Sequence, residues 1–120
     1  MADRIEALLV YDTRSQALSA GVRAVAQRAR RVLYTADETE VVLQIAPDRE
    51  PDRRKLAGQV LDEGMPLEGA AVSLHGDASQ VGQETDEDGE FQIGSLPRGA
   101  YRLEIDTPAR SISVAPLDID

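Results

Sequence analysis

Cysteine, tryptophan and asparagine are absent from this 120-residue chain, and histidine occurs once, at His75. Without Cys there is no disulfide, no thiolate metal ligand and no thiol nucleophile. With one His, no second imidazole can share general acid–base work. Aromatics are scarce too: one Phe and three Tyr leave the core to Val, Leu, Ile and Ala. No apolar run approaches the length that crosses a bilayer. The start, MADRIEALLVYD, has an acidic residue before a very short apolar run and no cleavage site, so no secretory leader is expected. These features predict a cytoplasmic protein of one domain, or one domain with an appendage.

Acidic residues are plentiful. The net charge is −9, unevenly spread. Residues 1–35 hold six Arg against Asp3, Glu6 and Asp12, whereas residues 36–120 hold seven basic and nineteen acidic residues. So acidic a body argues against nucleic-acid binding by its faces.

From Lys55 to Ile105, short apolar runs alternate with turn signals roughly every ten residues, the rhythm of an antiparallel sandwich. Asp62-Glu63-Gly64 before Pro66 is one turn. Thr85-Asp86-Glu87-Asp88-Gly89-Glu90-Phe91 is a tight hairpin signal, with Asp capping and Gly in the left-handed position. Leu96-Pro97-Arg98-Gly99 is a third turn. In Tyr101–Asp106, Tyr101, Leu103 and Ile105 alternate with Arg102, Glu104 and Asp106, which predicts a half-buried strand.

These residues carry a resemblance. Gly58, Val60, Asp62, Gly64, Pro66, Leu67, Gly69, Ala70, Val72 and Leu74 lead the pattern. Thr85, Asp86, Asp88, Gly89, Phe91, Ile93, Leu96, Gly99, Tyr101, Leu103 and Ile105 complete it. Together they resemble the carboxypeptidase regulatory-like domain, a transthyretin-like (prealbumin-like) sandwich related to B-type repeats of bacterial adhesins. The resemblance implies an all-β fold over residues 55–117 and a non-catalytic role in attachment, spacing or partner binding.

Residues 1–47 read as an N-terminal extension packing on that core. Residues 5–11 predict one strand, apolar on both faces. Residues 12–21 are loop-like, and 22–28 a short helix or irregular arm. Strands at 30–35 and 40–46 around a polar turn predict a hairpin. Residues 47–54, with two prolines and several charges, predict an exposed connector. Further strands are expected near 55–61, 69–75, 80–85, 90–93, 100–106 and 110–115, before a short acidic tail. The stretch from Leu8 to Pro47 is also similar to small bacterial proteins found with sigma factors or caspase-like proteases.

The residues offer few routes to chemistry. A Ser73–His75–Asp77 triad on one strand face has no oxyanion motif. The hydrolase branch of the transthyretin-like fold needs several histidines and a C-terminal Tyr-Arg-Gly-Ser, which are not here. Asp86, Glu87, Asp88 and Glu90 offer oxygen ligands, but the family pattern makes them a turn. An adhesin-type Lys–Asn cross-link fails with Lys55 as the one lysine and no Asn. No enzyme activity, cofactor or metal is therefore expected. The remaining surface is the basic run Arg23, Arg28, Arg30 and Arg31, with the apolar strands containing Leu8, Val10, Val41 and Leu43. These predict a protein partner, a sigma factor or protease-linked regulator, rather than nucleic acid or membrane. The alternative is a carbohydrate- or surface-binding sandwich of an exported protein.

Overall fold

The computed structural model describes residues 3–13, 30–77 and 80–119. In chain order the strands are β1 (Asp3–Glu6), β2 (Leu8–Asp12), β3 (Arg30–Ala36), β4 (Thr39–Pro47), β5 (Arg53–Asp62) and β6 (Met65–Pro66). They continue with β7 (Ala71–His75), β8 (Gln80–Glu84), β9 (Glu90–Pro97), β10 (Gly99–Asp106) and β11 (Arg110–Ile119). One sheet has the order β1-β11-β10-β7-β8. The other has the order β2-β3-β4-β5-β6, with β9 also pairing β5. Their inner faces share one apolar core, so the fold is the expected all-β sandwich.

The alternation in each strand explains which face is buried. In β10, Tyr101, Leu103 and Ile105 are buried while Arg102 and Asp106 are exposed. Gly58 in β5 faces inward, and the Phe91 ring lies where its side chain would be. That close approach is why this position has no Cβ.

The hairpin of β3 and β4 forms as predicted, in register from Arg30↔Ile45 to Ala36↔Thr39. Asp37 in its turn takes a left-handed φ of 54°, which short polar side chains tolerate better than most. The β5–β6 turn places both Glu63 (φ 51°) and Gly64 (φ 80°) in that region. This is the mirror-image two-residue turn whose twist suits a hairpin.

Three expectations need correction. Residues 5–11 are not one strand. The chain leaves the first sheet at Ala7, whose N–H bonds the Ser113 carbonyl at 2.8 Å, and β2 joins the other sheet. Arg53 and Arg54 belong to β5 rather than to a connector, and Pro47 pairs with Arg54. The intervening loop closes a β4–β5 hairpin through Asp48 N–H to the Arg53 carbonyl at 3.1 Å. Finally, the acidic tail is the end of β11. Leu117 and Ile119 are completely buried, alternating with exposed Pro116 and Asp118. The helix or arm expected at 22–28 lies outside the described residues.

Candidate functional site

Among the described residues the first sheet ends on β1 and β8 and the second on β2, β6 and β9, and these edges differ in chemistry. In the first sheet, β1 reads DRIE and ends on exposed Glu6 after half-buried Ile5, and β8 reads QVGQE, with every residue but Val81 exposed. Charged and polar side chains of this kind discourage pairing with another chain. In the second sheet, β6 and β9 both border β5; Met65 on the two-residue β6 is exposed, and beside β9 the Gln83 Oε1 accepts the Gln92 N–H at 3.3 Å. The remaining edge is β2. There Leu8, Leu9 and Val10 are 71%, 56% and 53% exposed, three consecutive large apolar side chains in water.

The β2 ladder explains their orientation. Leu8 pairs with Thr35 and Leu9 with Tyr34; after a register shift Tyr11 pairs with Leu33 and Asp12 with Val32. Val10 is the extra residue, a bulge that bends the strand. Beyond it an outer-face row runs from Tyr11 to Leu33 to Val42, and then to Gln59 and Glu90. A shallow depression of about 230 Å³ lies over this face, lined among others by Tyr11, Arg31, Val42, Gln44 and Gln59. The exposed edge thus continues inward as a half-buried apolar stripe on the outside of the sheet.

The sequence-based site residues divide accordingly. Leu8 and Val10 are on the exposed edge. Leu9, their neighbour, was missed, although the unbroken Leu-Leu-Val run was its signal. Val41 and Leu43 have no exposed surface and point into the core, so they do not line a partner-facing surface. The outward residues of β4 are Glu40, Val42, Gln44 and Ala46. Two adjacent valines in Glu40-Val41-Val42-Leu43 hide which phase faces in.

The basic run divides too. Arg30 is held within the chain. Its Nε donates to Asp12 Oδ1 at 2.9 Å and its Nη2 to Asp12 Oδ2 at 2.7 Å, and Nη1 donates to the Asp118 carbonyl. This planar two-pronged pairing is what a guanidinium offers and an ammonium does not. Arg31 is exposed beside the depression, and its backbone N–H bonds Thr13 Oγ1 at 2.8 Å. Arg23 and Arg28 lie outside the described residues.

The other candidates are placed as follows. His75 ends β7, with Nε2 3.2 Å from Glu104 Oε1 on β10 but without hydrogen-bond geometry. Ser73 lies opposite Glu104 and Asp77 lies past the strand end, so no relay of hydrogen bonds links the three. Asp86, Asp88 and Glu90 place one carboxylate oxygen each within 4.8 Å of one another, all on exposed side chains. Asp86 Oδ1 already accepts the N–H groups of Asp88 and Glu90, each at 2.9 Å. The cluster is a capped turn built by its own backbone.

Two further groups hold this framework. Thr85 Oγ1 accepts the Ala70 N–H at 2.9 Å and donates to the Leu67 carbonyl at 2.6 Å. The Tyr101 hydroxyl donates to the Pro97 carbonyl at 2.6 Å, and burial pushes its pKa above the ordinary value.

Compared with known proteins, residues 55–118 match the model of the carboxypeptidase regulatory-like domain, a little over half of the chain. No curated protein matches the chain, and no solved structure does.

Proposed function

The chain belongs to the carboxypeptidase regulatory-like domain family, and from that premise we propose that it is a non-catalytic protein-interaction module. The family is generally non-catalytic. The observation that supports the reading is the exposed Leu8-Leu9-Val10 edge, three consecutive exposed large apolar side chains where the rest of the described residues show such exposure singly, at Met65. Edge strands of soluble proteins are usually blunted by charge, and an apolar one marks a place where another chain docks. The partner would meet β2 and the stripe behind it, Tyr11, Leu33 and Val42. The resemblance of residues 8–47 supports a sigma factor or protease-linked regulator as that partner, in a bacterial cytoplasm.

The experiment is site-directed photocrosslinking in cells. A photoreactive residue replaces Leu9 on the β2 edge or, as control, Gln83 on β8. One discrete protein adduct from position 9, absent from position 83, is the expected result. No adduct from position 9, or the same adducts from both, removes the reading.

A further inference from the structure

We propose that the occupant of the β2 edge is an extended, neutral-to-basic segment of another protein, added to the sheet as one more strand with apolar side chains at alternate positions. The proposal rests on the interaction-module reading above and specifies the partner's chemistry. Its first support is geometric. Among the described residues, β2 has a paired side toward β3 and a side with no strand beyond it. A strand's unpaired N–H and C=O groups are a template for another strand. An incoming strand would lengthen the outer-face row that begins Tyr11, Leu33, Val42. Because side chains alternate across a strand, only every second residue of the newcomer reaches that row.

Charge and size decide between a foreign segment and a second copy. Each copy of this chain carries −9, so pairing two copies brings like charge together, whereas a neutral or basic segment meets no such penalty. At the edge itself Asp12 is neutralised by Arg30, and exposed Glu6 and Arg31 carry opposite charges near the apolar run, so the disfavouring of a second copy comes from the net charge of the whole chain. A five-residue strand interrupted by a bulge is also short of the roughly 1,200–2,000 Å² that stable dimers bury. It suits a short peptide bound mainly through its backbone.

The test uses the full chain with three synthetic probes at physiological salt, followed by amide NMR. The probes are an acetylated (Val-Lys)₄ amide, the same peptide N-methylated at alternate residues, and (Val-Glu)₄. The expected result is that (Val-Lys)₄ shifts the amides of Leu8–Tyr11 and of neighbouring β3. The N-methylated peptide, with equal charge but half its donors blocked, should bind at least about tenfold more weakly, and so should (Val-Glu)₄. The Leu9→Lys variant should lose the (Val-Lys)₄ shifts while keeping the spectrum of a folded chain. Equal binding by the N-methylated probe overturns strand addition, as does no binding or shifts at β8 or β9. A concentration-dependent dimer that protects the β2 amides overturns it in favour of a second copy. If crosslinking from position 9 still captures a protein while the peptides fail, the interaction reading survives and only the strand chemistry is lost.

Discussion

Arg30 and Asp12 form a two-pronged ion pair at 2.7 and 2.9 Å that fastens the edge strand β2 to β3. The same guanidinium reaches the Asp118 carbonyl on β11, in the opposite sheet. One side chain therefore ties together the N-terminal edge and the C-terminal strand. The exposed apolar triplet sits close before Asp12, so the pair holds that edge in place.

Arg30→Ala should therefore destabilise the chain by about 3 kcal/mol, because it leaves the Asp12 carboxylate buried without its partner. The double substitution Asp12→Ala, Arg30→Ala should cost less than Arg30→Ala alone. Denaturant unfolding of Arg30→Ala and the double variant checks this, and a double variant no more stable than Arg30→Ala would refute the pairing argument.

Phe91 packs directly against Gly58. A Cβ on Gly58 would come within 2.3 Å of the Phe91 ring and 3.0 Å of Leu43. Gly58→Ala should cost about 1–3 kcal/mol through overpacking. Adding Phe91→Leu should return part of that loss, and a melting series of both single variants and the double reads the recovery.

Thr85 is needed for its hydroxyl rather than its β-branch. Its Oγ1 joins Leu67 and Ala70 in a buried corner. Thr85→Val keeps the shape and strands both groups, so about 1–3 kcal/mol should be lost. Thr85→Ser should lose distinctly less.

Such local devices are what the sequence reveals best. Asp86 and Gly89 were legible as a turn because the acceptor and its donors lie within four residues. The β3–β4 hairpin was legible for the same reason. The crossing at Ala7 was not, since residues 5–11 are apolar enough for either sheet and the deciding partner, Ser113, is remote. Arg30 read as one of a basic run because nothing local identifies Asp12 as its partner. Leu117 and Ile119 were hidden by Pro116 and two aspartates, which read as an ending. Period-two patterns give a strand's alternation, but its phase is set by distant packing.

The Asp86 turn yields a prediction about calcium. If the carboxylate serves the backbone of the turn, Asp86→Ala should lower the melting temperature equally with and without millimolar calcium. A calcium-dependent rise in the parent chain, abolished by Asp86→Ala, would instead make Asp86, Asp88 and Glu90 ligands.

Acid should weaken the β4–β5 loop through Asp48. Its Oδ2 accepts the Ser95 N–H at 2.7 Å, where β9 bulges and Ser95 takes a left-handed φ of 55°. Its Oδ1 accepts the Arg49 N–H at 2.8 Å. The Ser95 bond first, and then the Arg49 bond, favour the ionised form and hold the carboxyl below its ordinary value of 3.8. A carboxyl with a lower pKa folded than unfolded binds more protons unfolded, so stability rises with pH through this range. The contribution is present above 3.8 and is lost as the pH falls through the lower, folded value. Asp48→Asn keeps the shape and removes the charge. The parent should be the more stable of the two at neutral pH, and the difference should shrink as the pH is taken below 3.8. Unfolding midpoints measured in parallel across that range check the sign. A gap that widens in acid would mean that the Asp48 charge opposes the fold, and that the bulge at Ser95 is held by something else.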